Sequence, residues 1–204
     1  MVERMTADML YARFNRFFRR ARMAEFIRRF EVTDKTRILD VGGTKANWRL
    51  VSLRPRVTLI NLDSSQSDLV GDGCRLPFRD VEFDIVYSNS VIEHVGDRPR
   101  QYLFAAECRR VGRRYYIQTP NYYFPIEPHM LAPFIHWLPA PLRDPLVPLT
   151  PAALLRSRSE DNVADILRST RLLCARQMRE MFPDSELWRE RFMGMSKSLI
   201  AVRL

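Results

Sequence analysis

Apolar residues follow two rhythms along this chain. In the first thirty positions they recur three and four apart: Leu10, Phe14, Phe17, Ala21 and Ala24, with Phe18, Phe26 and Phe30 widening the band. Such spacing puts them on one face and predicts a single helix over 7–30. Arg13, Arg16, Arg19, Arg20 and Arg22 occupy much of the remaining surface. From Arg37 onward the rhythm changes to short apolar runs: RILDV (37–41), VTLINLD (57–63), DLVGD (68–72), FDIVYSNS (83–90) and RYYIQTP (114–120). Near-continuous apolar runs are the mark of strands covered on both faces, and helical stretches separate them. The clearest of these is 97–111, with Asp97 as N-cap, Pro99 in the first turn and Gly112 as the stop. Strand and helix in alternation predict a parallel sheet between two helical layers.

Residues 120–160 break the alternation. This stretch holds most of the chain's prolines and much aromatic surface, and it is too apolar for a disordered linker. It reads as an ordered insertion over the open end of the sheet, its aromatics forming either an acceptor pocket or a small core of their own. Helical periodicity returns from about 161 through Met181. ELWRERFMG (186–194) and KSLIAVRL (197–204) then supply two closing strands. There is no internal repeat, and 204 residues suit one domain over 1–204.

Net charge changes the picture more than composition does. It is +9, and Lys35, Lys45 and Lys197 are the only lysines among 33 basic residues. That excess favours anionic partners: phosphates, acidic sugars or a membrane surface. The basic amphipathic segment 1–33 is therefore either a helix packed on the domain or a lid that touches a membrane. Cys74, Cys108 and Cys174 are odd in number and widely spaced, which argues free thiols and no metal. No apolar run reaches the roughly 18 residues of a spanning helix, and the N-terminus lacks signal-peptide features, so a cytoplasmic location is expected.

The chemistry starts at RILDVGGTKANW, where a strand ends in an acid and two adjacent glycines. In an open parallel sheet ligands bind beyond the carboxyl ends of the strands, and glycine lets a ligand approach the backbone. Further polar groups follow at the ends of the other strands: Asp63 after the second, Asp72 and Gly73 after the third, Ser88 and Asn89 at the fourth. A carboxylate at Asp63 can accept both hydroxyls of a ribose, or it can cap the turn at Ser64–Ser65. The loop lacks the GxGxxG that seats a pyrophosphate, which argues against a nicotinamide dinucleotide.

Taken together, ILDVGG, LINLD and GDGCRLPFRDVEFDIVYSNSVIEHV resemble the class I S-adenosylmethionine-dependent methyltransferases, type 11 branch. The resemblance covers about 35–120, and the tail ELWRERFMGMSKSLIAV fits that family's terminal strands. It implies a three-layer, Rossmann-like fold whose mostly parallel seven-stranded sheet ends in an antiparallel strand. By the same match S-adenosyl-L-methionine is the cofactor. Asp40, Gly42 and Gly43, with Thr44, line its methionine end. Asp63 holds the ribose, Asp72 and Gly73 the adenine, and Ser88 and Asn89 lie beside the sulfonium, with Ser64 and Cys74 as further cofactor-binding candidates. Thr44 and Ala46 stand where the family pattern DxGxGxG has glycines.

Methyl transfer to an oxygen also needs a proton acceptor, for which His94 and His129 are the candidates; His136, between Ile135 and Trp137, reads as structural. The expected acceptor is a small molecule, or one linked to a glycan or lipid. A (D/N)PP(Y/F/W) motif after the fourth strand would mark a nucleic-acid enzyme, and SNSV stands there instead. An RNA methyltransferase and a non-catalytic binding protein of the same fold are the alternatives. A homodimer is left open.

Overall fold

A computed structural model describes residues 19–49, 51–127, 130–151, 153 and 169–204. Its centre is a seven-stranded sheet in the order β3–β2–β1–β4–β5–β9–β8. Strands β1 (Arg37–Val41), β2 (Arg56–Asn61), β3 (Leu69–Val70), β4 (Phe83–Asn89) and β5 (Gly112–Pro120) are mutually parallel. β9 (Met195–Arg203) runs antiparallel to both β5 and β8 (Glu186–Phe192).

Each face of the sheet has its own core. One face carries α3 (Arg98–Val111) and α5 (Ala175–Met181), whose Phe104, Cys108, Met178 and Met181 pack on Leu39, Val86, Tyr115 and Ile117. The other carries the helix α1, over 19–29, whose Met23 and Phe26 join Phe30 against Ile38, Ile85, Tyr87 and Tyr116. Burying each such side chain is worth about 1.5–3 kcal/mol. Apolar residues of β1 and β4 thus meet a helix on both sides, which is why their runs are continuous in sequence. The part of the N-terminal helix expected over 7–18, and the periodic stretch 161–168, lie outside the described residues.

Asp97 caps α3 as expected, its side chain accepting from Arg100 N at 3.1 Å. Gly112 ends α3 as expected, without a left-handed turn. Its φ is −109°, and it leads straight from α3 into β5. A Cβ there would lie 2.6 Å from Val86 Cγ2, so glycine serves close packing of β5 on β4. The helix after β1 is a single turn, α2 (Lys45–Trp48).

The proline-rich segment is ordered where described. β6 (Ile126–Glu127) pairs with β7 (Ala132–Pro133), and short helical turns follow, including α4 (Ala140–Arg143). Met130, Ala132, Ile135 and Val147 form a separate core. Trp137 Nε1 donates to Tyr122 O at 2.9 Å, and His136 Nε2 lies 2.9 Å from the same carbonyl, so both rings serve to hold the segment together. Among the described residues, no helix is long and apolar enough to cross a membrane.

Candidate functional site

The carboxyl ends of the parallel strands form one rim, and the turn after β1 lies at its middle. Gly42 has φ +73°, a left-handed conformation that favours glycine, and its N–H donates to Ile60 O at 2.7 Å. A Cβ on Gly42 would come within 2.6 Å of Val91 Cγ2. At Gly43 the conflict is with Asp40, whose Oδ2 sits 1.9 Å from where a Cβ would be. The acid and the second glycine therefore share one space: the carboxylate folds back against a backbone that has no side chain.

Asp40 is fully buried. Its Oδ2 accepts from Trp48 Nε1 at 2.8 Å, and its Oδ1 has no hydrogen-bond partner among the described residues. Burial pushes its pKa up to about 7, against the pull of the Trp48 bond. Thr44 precedes α2 in extended conformation and makes no side-chain cap.

Asn61, the last residue of β2, ties the turn in place. Its Nδ2 donates to Gly42 O and Gly43 O, both at 3.1 Å. Asp63 lies beyond it and turns away. Asp63 Oδ1 accepts from Ser65 N at 2.9 Å and Ser65 Oγ at 2.7 Å, bonds that hold its carboxyl below the usual range. Asp63 and Ser64 are exposed.

A pocket of about 280 Å³ opens on this rim. Val41, Gly42, Ile60, Asn61 and Leu62 line one side, and Gly71, Asp72 and Gly73 follow β3. Ser90, Val91, His94 and Val95 come from the loop after β4, with Arg100 and Phe104 from α3. Asp72 Oδ1 accepts from Cys74 N at 2.9 Å and Oδ2 from Arg100 Nη2 at 2.8 Å. The Cys74 backbone bond, then the guanidinium, lower its pKa. Arg100 Nε also donates to Val95 O at 2.6 Å, so it joins both walls of the pocket. Cys74 is buried; burial first, then the charge of Asp72, pushes its thiol up to about 11, and it stays protonated.

The end of β4 splits its residues between the two faces. Ser88 is buried and donates to Val41 O at 2.9 Å. Asn89 Oδ1 accepts from Arg22 Nη1 at 2.9 Å, on the α1 side. Ser90 adopts φ +57°, uncommon for a residue with a side chain, held by Gln118 through its N–H (3.0 Å) and Oγ (2.9 Å). This bend turns the following residues over the pocket. His94 ends a short helical turn, its Nδ1 3.3 Å from Thr170 Oγ1 and its Nε2 4.0 Å from the Glu93 carboxylate. His129 lies outside the described residues.

Of the candidate site residues, Gly42, Asp72, Gly73 and His94 meet around the pocket. Asp40, Gly43 and Thr44 stand behind its glycine turn, with Cys74 and Ser88 in supporting contacts. Asp63, Ser64 and Asn89 lie outside the pocket wall. Asn61, Ser90 and Arg100 line it unforeseen. For Asn61 a signal existed, since it closes the apolar run of β2; nothing near Arg100 in sequence points to Asp72.

Residues 40–114 match the family model described as "Methyltransferase domain". No curated protein matches the sequence. Among solved structures, magnesium protoporphyrin IX methyltransferase from Synechocystis PCC 6803, with bound SAH, superposes at a TM-score of 0.60. It is 10% identical, and the match covers 100% of this chain and 90% of that one. A possible exported protein from Bordetella parapertussis gives 0.57 at 15% identity, over 98% and 70% of the two chains. A SAM-dependent methyltransferase from Methanosarcina mazei gives 0.53 at 14%, over 87% and 94%. At such identities these likenesses speak to the fold.

Proposed function

We propose, from the premise that this chain carries a class I S-adenosylmethionine-dependent methyltransferase domain of the type 11 kind, that the pocket on the β1–β4 rim holds the cofactor. On this reading the methyl group passes to an oxygen of a small-molecule, glycan or lipid-linked acceptor. The observation that carries the reading is the placement of Gly42, Asn61, Asp72 and His94 around one pocket at the strand ends. A second feature fits the cofactor's methionine part. Asp40 Oδ1 is a buried acceptor with no partner among the described residues, and it lends negative charge behind the Gly42–Gly43 turn that the ammonium group would meet. Asp72 keeps lone pairs beyond the Cys74 and Arg100 bonds, enough to accept an exocyclic amine. Asn61, by fixing the glycine turn, sets the wall on the ribose side.

When bound, the cofactor supplies a methyl group already activated on a sulfonium. The chain's own task is to align the acceptor and keep water out. His94, whose Nε2 lies 4.0 Å from the Glu93 carboxylate, takes the acceptor's proton. The proline-rich insertion, whose described part has its own core at Met130, Ala132, Ile135 and Val147, shapes the acceptor side, and the basic N-terminal segment closes it.

Calorimetry with S-adenosylmethionine and S-adenosylhomocysteine tests the first half, with micromolar dissociation constants expected. Labelled-methyl transfer into fractions of a cell extract tests the second. Failure of both cofactor forms to bind at millimolar concentration removes the reading.

A further inference from the structure

Asp72 is anchored through both of its oxygens, and only one anchor is local. Oδ1 accepts from Cys74 N, two residues on, while Oδ2 accepts from Arg100 Nη2, which arrives from α3. Arg100 is itself held at three points. Its backbone N–H donates to the Asp97 cap at 3.1 Å, its Nε donates to Val95 O at 2.6 Å, and its side chain passes over Gly96. Gly96 has φ +115°, and a Cβ there would stand 3.1 Å from Arg100 Cδ. The run VGDRPR (95–100) thus sets one guanidinium beside the pocket that Asp72, Val95 and Arg100 all line. Stability does not account for this arrangement. The two charged side chains are 47% and 40% exposed, and ion pairs so exposed add little to a fold. What the pair does is fix the carboxylate plane and keep a countercharge at one wall of the pocket.

We propose that Arg100 sets the base selectivity of the cofactor pocket by holding Asp72 as a hydrogen-bond acceptor only, so that a 6-amino purine is taken and a 6-oxo purine refused. This role rests on the methyltransferase reading, which puts the adenine against Asp72. An ionised carboxylate offers lone pairs and no hydrogen. The exocyclic amine of adenine donates to it, whereas the 6-oxo group of hypoxanthine would set acceptor against acceptor and leave both unsatisfied. Without Arg100 that refusal weakens for two reasons. A carboxylate that loses water to an incoming base takes up a proton more readily, and a protonated carboxyl donates to a 6-oxo group. Oδ2 is also released, so the group is free to turn. The guanidinium prevents both, because it stays charged and spans Asp72 Oδ2 and Val95 O with one rigid fork. Lysine would keep the charge and lose the fork. Among the described residues, the other ionisable side chain lining the pocket is His94, and the Cys74 thiol beside Asp72 stays protonated.

The test compares S-adenosylhomocysteine with its 6-oxo analogue, S-inosylhomocysteine, by calorimetry on the full chain. The unmodified chain should prefer the adenosyl form about tenfold or more. Arg100→Gln should cut that preference by about threefold or more, and Arg100→Lys by less. A merely structural role would weaken both ligands alike and leave their ratio untouched. In Asp72→Asn, whose amide both donates and accepts, Arg100→Gln should no longer change the ratio. Thermal melts on every variant report folding. A preference of the unmodified chain below about tenfold, a cut by Arg100→Gln of less than about threefold, or an equal cut in the Asp72→Asn background overturns the role of Arg100. Adenosyl binding with any of these results removes that role alone, whereas failure of both ligands to bind the unmodified chain at about 1 mM removes the methyltransferase reading as well.

Discussion

Gly43→Ala is the sharpest test of how the glycine turn is built. Gly43 does not lie in the left-handed region, so backbone strain plays no part and the effect is one of space. The added methyl would sit 1.9 Å from Asp40 Oδ2 and 2.0 Å from its Cγ. The obstacle is a short, fully buried side chain held by Trp48 Nε1 at 2.8 Å, so it has little freedom to move aside. Overpacking a core by one methyl costs about 1–3 kcal/mol. Displacing the carboxylate also breaks the Trp48 bond, worth about 1–2 kcal/mol. The sum is about 2–5 kcal/mol, a fall in Tm of roughly 5–15 °C for a chain of this size. Urea denaturation followed by tryptophan fluorescence measures it. Asp40→Ala clears the space, so in that background Gly43→Ala should cost less than about 1 kcal/mol. A single-variant cost below about 0.5 kcal/mol, or an equal cost in both backgrounds, refutes the shared-space account.

Asp40 also governs a pH dependence. Its folded pKa of about 7 lies above the ordinary 3.8, so the unfolded chain loses this proton first as pH rises. Stability from this group is complete below about pH 4 and declines by about 1.4 kcal/mol per unit until about pH 7. Asp40→Asn does not titrate, so its stability relative to the unmodified chain should climb across that window in denaturation curves, and a flat difference would remove the assignment. On the rim, Asn61→Ala should weaken S-adenosylhomocysteine binding about tenfold or more by releasing Gly42 and Gly43, while Asp63→Ala changes it less than about threefold. Calorimetry on the two variants decides, and the reverse order would put Asp63 back on the ribose.

Much of the fold was legible in one dimension. The continuous apolar runs of β1, β4 and β5 show that they are covered on both sides, and the Asp97 cap marks the start of α3. The three and four spacing shows a helix but misplaces its face: Ala21 and Ala24, read as apolar-face positions, are exposed, whereas Met23 is buried beside Phe26 and Phe30. The boundaries were less legible. β2 stops at Asn61, two residues short of the acid that drew attention, because Asp63 is recruited by Ser65 into a turn. Gly112 is the helix stop that the sequence shows, but its second role, as a point of close approach between β5 and β4, was not legible.

By itself the sequence determined the α/β architecture, the glycine turn after β1 and the polar groups that follow each strand. All of these rest on local periodicity and on the conformational range of single residues, which a chain carries wherever it goes. Only the tertiary structure decided which of those groups share a pocket. Arg100 joins Asp72 across 28 positions, and Arg22 reaches Asn89 across 67. Such pairings depend on strand order and on the face from which each side chain leaves the sheet, and neither is written in the spacing of neighbouring residues.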